Sequence, residues 1–93
     1  MFSEIPINLE KLDRDQKNKE IIRMGIIAEL DAINLYEQLA AMADDSDIKK
    51  IFLDVGNEEK THFGEFLSLL MKKDEDQVRE LEKGKKEVEE LIQ

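Results

Sequence analysis

Residues 19–42 read KEIIRMGIIAELDAINLYEQLAAM. Within this stretch Ile22, Ile26, Glu29, Ile33, Tyr36 and Ala40 recur at steps of three and four, which is one face of an α-helix. Leu30 and Leu39 add a second apolar line. The spacing predicts a helix from about Lys19 to Met42. Asp44-Asp45-Ser46 then breaks the pattern and offers N-cap chemistry to the next element. That element is a second helical pattern from about Ser46 to Lys72, with Ile48, Phe52, Val55, Glu59, His62, Phe66 and Leu69 on a shared face. Lys72 and Lys73 suit the negative end of its dipole. A connection this short predicts antiparallel neighbours. Gly56 and Gly64 are interior and weaken the helix by up to about 1 kcal/mol each, which predicts close approach of another helix at both.

The flanks are less regular. A third helix is expected over Asp76–Ile92, with Val78, Leu81, Val88, Leu91 and Ile92 as its apolar positions. Gly84 and nearby lysines interrupt that stripe, so this helix reads as mostly solvated and docked at its two ends. Residues 1–17 carry Ile5, Ile7, Leu9 and Leu12 around Pro6 without a sustained period, and read as an extended arm. Residues 18–93 then form the folded domain.

Composition limits the function classes. The chain has 93 residues, enough for one small domain. It carries 14 Lys and Arg against 23 Asp and Glu, a net charge of −9, which makes it a poor nucleic-acid binder. With no Cys there is neither a disulfide framework nor a thiolate metal site. No apolar run approaches the ~18 residues of a membrane span, and the N-terminus shows no signal-peptide pattern. The expectation is a soluble, intracellular, all-α protein. A chain this short buries a limited core and often needs a partner subunit to complete it.

Two helical faces carry ionisable residues where apolar ones belong. Glu29 sits between Ile26 and Ile33, and Glu59 and His62 sit between Val55 and Phe66. A buried carboxylate either protonates or finds a partner. Taken singly, a lone His on an apolar face is a core residue, and a stray Glu is a boundary residue that snorkels. Glu59 and His62, however, form Glu-x-x-His, whose side chains leave a helix on one face and suit a shared metal ion. Fourteen residues are Glu, so this motif alone arises by chance roughly one time in seven. Glu29 on an antiparallel helix is what sharpens it. A four-helix di-iron carboxylate site draws a Glu from each of two helices and a Glu-x-x-His from each of the other two. This chain supplies one of each, half of such a site, and two copies about a two-fold axis would supply the whole. Carboxylate plus imidazole favours iron, with manganese, zinc or calcium as substitutes.

The stretches Ile26–Gln38 and Asn57–Phe66 resemble those of the encapsulated ferritins, the cargo proteins of encapsulin nanocompartments, and the first looks especially like the ferritin-like segment fused to some archaeal encapsulins. The thirty-residue interval from Glu29 to Glu59, then three to His62, matches as well. The resemblance implies an antiparallel two-helix hairpin with a short C-terminal helix, dimerising into a ferritin-like four-helix bundle. It implies a ferroxidase that oxidises Fe(II) with oxygen at a di-iron centre between two chains, dimers joined into a ring (commonly a decamer), and an encapsulin shell in the cytoplasm that stores the mineral. Glu29, Glu59 and His62 would be the metal ligands, with Tyr36 near the centre. The chain departs from the family pattern at Leu35, where members often carry Trp, and at Ala28, where some carry an acid. Leu91-Ile92-Gln93 shows no recognisable cargo-loading tail. The competing expectation is a non-enzymatic oligomerisation module in which Glu29, Glu59 and His62 form a buried polar network.

Overall fold

The computed structural model describes residues 13–93, which form three helices and no strand. Helix α1 spans Arg14–Met42, α2 spans Ser46–Lys73 and α3 spans Glu75–Ile92. The expected arm over residues 1–17 lies outside the described residues for its first twelve positions. Its last four belong to α1, which starts five residues before the expected Lys19. The reason is the cap. Asp13 has extended backbone, and its carboxylate accepts a 2.8 Å hydrogen bond from the backbone N–H of Gln16. That satisfies one orphan donor of the first turn.

Asp45 performs the same task for α2, accepting from the N–H groups of Asp47 and Ile48 at 2.8 and 3.0 Å. At the other end of α1, Ala43 N–H donates to the Leu39 and Ala40 carbonyls and closes the last turn. The connection holds α1 and α2 side by side. Arg23 meets Asp74, Gly25 meets Phe66, Glu29 meets His62, and Tyr36 meets Phe52. Residue numbers fall on one helix as they rise on the other, so the pair is antiparallel as expected.

This hairpin has little interior of its own. Among the described residues, Ile22, Ala40 and Leu70 are the buried apolar side chains. Leu70 rather than Leu69 is buried. Leu69 was expected on the shared face but is 42% exposed. Gly56 is buried, and a Cβ there would meet Tyr36 Cβ at 3.5 Å, whereas a Cβ at Gly64 would meet no atom of another element within 4 Å. Close approach is therefore found at Gly56 and at Gly25, where an added Cβ would meet the Phe66 ring at 3.4 Å.

Asp74 is the one residue between α2 and α3, and it turns the corner. Its carboxylate caps α3 by accepting from Gln77 N–H at 3.1 Å and receives the Arg23 guanidinium at 3.0 Å. The side chain is buried. The Gln77 hydrogen bond, Lys19 and Arg23 together hold its carboxyl below the usual range against the opposing effect of burial. Helix α3 is tied to the hairpin at this corner. It has no buried residue, and Leu91 and Ile92 are 85% and 74% exposed, so the expected docking of its far end is not made by the described residues.

Candidate metal centre

Glu29 lies midway along α1, and Glu59 and His62 lie midway along α2. The antiparallel register brings them level. One ligand atom from each of the three lies within 4.8 Å of the others, so the expected trio is assembled. The His62 ring presents Nδ1 to both acids, 3.7 Å from Glu29 Oε2 and 3.5 Å from Glu59 Oε2. Both separations exceed a good hydrogen bond. Glu29 Oε2 is buried and has no hydrogen-bond partner. A satisfied polar network would show neither feature, because an orphaned buried acceptor carries a desolvation penalty. A divalent cation between the three would satisfy that oxygen, and the donor set of two carboxylates and one imidazole suits iron or manganese.

The electrostatics agree. The Glu29 carboxyl is held above its ordinary range. The largest cause is the hydrogen bond that it and Glu59 share once one of them is protonated; burial and the Glu59 charge come next. His62 opposes the shift and Glu65 adds to it. Two carboxylates crowded together repel unless a proton or a cation stands between them. Burial is uneven across the trio. The side chains of Glu29 and Glu59 are 16% and 19% exposed, while His62 is 47% exposed. The site is walled by the hairpin on one side and open on the other.

Tyr36 is not gathered with the three. It packs against Phe52, ring centroids 6.0 Å apart and tilted by 38°. Seven residues along α1 place its backbone about 10 Å from Glu29, with the side chain angled back toward it. Glu65 is a contributor that helical periodicity assigns to a solvated face. The signal that could have found it is its position one turn beyond His62. Lys60 and Glu37 form an exposed ion pair at 3.0 Å elsewhere on the hairpin.

With the geometry in place, comparison with known proteins is decisive. The sequence pattern of the EncFtn-like family matches residues 5–86. The chain belongs to this family. An EncFtn-like relative, the ferritin-like–encapsulin shell fusion protein of Pyrococcus furiosus, is 53% identical over 85 residues, covering 91% of this chain and 25% of that protein. The encapsulin nanocompartment cargo protein EncC of Myxococcus xanthus is 43% identical over 56 residues, 60% of this chain and 43% of that protein. The chain thus spans less than half the length of either curated relative. The crystal structure of an encapsulated ferritin domain from Pyrococcus furiosus is similar to this chain with a TM-score of 0.85 and 51% identity, covering 97% of this chain and 94% of that one. The all-α ferritin-like fold class and the encapsulated-ferritin resemblance are therefore established. Among the described residues no helix is long and apolar enough to cross a membrane.

Proposed function

We propose that this chain is a ferroxidase for iron storage, oxidising Fe(II) to Fe(III) with oxygen at a di-iron centre shared by two copies. The observation that carries the reading is the buried, unpartnered Glu29 Oε2 beside Glu59 and His62. One hairpin offers two carboxylates and one imidazole, and leaves the His62 side open. A second copy placed against that side by a two-fold axis doubles the set to four carboxylates and two imidazoles. Four negative charges then balance two divalent ions. Exposed Ile21, Ile51 and Leu69 supply apolar surface for such a partner to cover.

Glu29 and His62 would hold an ion on each side, with Glu59 between the two. When bound, iron supplies the electrons that reduce the oxidant. The chain's own contributions are separable. Glu29 and Glu59 concentrate negative charge in a half-buried site, His62 offers a ring nitrogen, and the net charge of −9 raises the local concentration of cations. Tyr36, packed on Phe52 two turns along, borders the centre rather than ligating there. Manganese, zinc or calcium could occupy the same donors without the redox step.

The relatives are an encapsulin fusion and an encapsulin cargo protein, which supports an encapsulin shell as partner and a cytoplasmic nanocompartment as location. Assembly of dimers into a ring, with a decamer as the expected size, belongs to the same reading. The test is aerobic Fe(II) oxidation followed by the absorbance of the ferric product, alongside metal content per chain. Glu59→Ala should abolish both the fast phase and stoichiometric binding. Unchanged rate and stoichiometry in that variant would remove the proposal.

A further inference from the structure

Two close contacts between α1 and α2 bracket the metal-ligand trio. On one side Gly25 of α1 faces Phe66 of α2, and a Cβ added at Gly25 would meet Cδ2 and Cε2 of the ring at 3.4 Å. On the other side Gly56 of α2 faces Tyr36 of α1, and a Cβ added there would meet Tyr36 Cβ at 3.5 Å. Along α1 the order is Gly25, Glu29, Tyr36, and along α2 it is Gly56, Glu59, His62, Phe66. Each helix thus carries a glycine ahead of its ligands and an aromatic residue after them, and each glycine receives the other helix's aromatic residue. The two contacts are eleven residues apart on α1 and ten apart on α2, about 16 and 15 Å of helix. They form the ends of a frame with nearly equal sides.

The side chains at a contact set the distance between two packed helices. At Gly56 the spacer is a single Cβ, and Phe52, one turn earlier on α2, packs its ring on Tyr36 at 6.0 Å and fixes that end. At Gly25 the spacer is the Phe66 ring. The ligand atoms of Glu29, Glu59 and His62 lie between these ends, within 4.8 Å of one another. Glu29 stands on one helix and its two companions on the other, so the helix spacing sets the reach between them. Reach matters to an ion. Zinc takes nitrogen and oxygen donors at about 2.0–2.2 Å, whereas calcium takes oxygen at about 2.3–2.6 Å.

We infer that the pairs Gly25–Phe66 and Gly56–Tyr36 are positioning residues that hold α1 and α2 at the separation fitting the trio to a small divalent ion and disfavouring a larger one such as calcium. They act through the helix backbones that carry the ligands. This role rests on the metal-centre reading above and assigns ion selection to residues outside the donor set. It also gives the two glycines a reason to interrupt long helices, where each costs up to about 1 kcal/mol.

The test is calorimetric titration of the full chain, freed of metal by chelator, with Zn(II) and separately with Ca(II). The readout is the ratio of the two affinities, with helicity followed by circular dichroism. A general loss of stability lowers both affinities together and leaves the ratio in place, whereas a wider frame moves it. Gly56→Ala should leave the ratio unchanged, because one methyl fits at 3.5 Å. Gly56→Leu should weaken Zn(II) binding about tenfold or more and Ca(II) binding by less. Gly25→Leu should do the same, and adding Phe66→Ala should restore the Zn(II) preference, since the ring that the leucine displaces is then gone. Gly64→Ala is the control, because a Cβ there meets no other element within 4 Å. An unmoved ratio in the folded leucine variants, or a ratio that Phe66→Ala fails to restore, overturns the inference. Should Gly56→Leu not fold, the Gly25 and Phe66 variants decide. If Glu59→Ala binds both ions as the unaltered chain does, the metal-centre reading falls and takes this role with it; an unmoved ratio beside binding that depends on Glu59 removes this role alone.

Discussion

The carboxylate of Glu29 and the imidazole of His62 stand on different helices with Oε2 and Nδ1 3.7 Å apart, too far for a good hydrogen bond and close enough to share an ion. That separation, together with the orphaned oxygen, supports the proposed metal centre over a polar staple. It also determines what each substitution should do.

Metal binding should stabilise the fold through these side chains. At a divalent-ion concentration about a hundred times Kd, linkage adds about 2.7 kcal/mol of stability. Thermal unfolding with and without Fe(II) under anaerobic conditions, or with Mn(II) in air, should show that gain as a higher Tm. His62→Ala and Glu59→Ala should each erase it. A gain that survived in both variants would place the ion elsewhere.

In the absence of metal, Glu29 should be a liability above mildly acidic pH. Its carboxyl is raised in the folded state, so the folded form binds protons more tightly than the unfolded form does. Its contribution is fully present below the unfolded carboxyl range and is lost as pH rises through the folded value. Glu29→Gln should therefore stabilise the metal-free protein at neutral pH by about 1–2 kcal/mol, the scale of an unsatisfied buried polar group. The same change should weaken metal binding. Denaturant melts in chelator at several pH values should show the two proteins converging in acid.

Asp74 should behave in the opposite sense. Its carboxyl is lowered by Gln77 N–H, Lys19 and Arg23. The stability it contributes is present above the unfolded carboxyl value and disappears as pH falls through the lower folded one. Asp74→Asn should lose stability at neutral pH and flatten the acid limb of the pH–stability curve. Arg23→Ala combined with Asp74→Asn should be less than additive, since both remove one contact.

Two packing substitutions separate the two faces of α2. Leu70→Ala should destabilise by about 2–5 kcal/mol, because Leu70 is one of the few buried side chains and its loss leaves a cavity. Gly64→Ala should stabilise by up to about 1 kcal/mol through helix propensity, since nothing lies within 4 Å of the added methyl. Urea melts of both proteins give the two signs directly.

Sequence periodicity alone determined that this chain is a pair of long helices and placed Glu29 and Glu59 on inward faces, while His62, read on the same stripe, is 47% exposed. It could do so because helical spacing is local and because a carboxylate in an apolar stripe is conspicuous. The start of α1 was written in Asp13 and Gln16 as a capping pattern, but the polar residues after it carry no apolar period to read. Tertiary structure decided what depends on a neighbour. Whether Leu69 or Leu70 is buried depends on the rotation of α2 in the packed fold, which two adjacent leucines leave open. Asp74 became the anchor of α3 because the fold brings Arg23, fifty-one residues away, to its carboxylate. The same register put Oε2 of Glu29 out of reach of any donor, and three ligand atoms converge on one point only when two helices are set side by side.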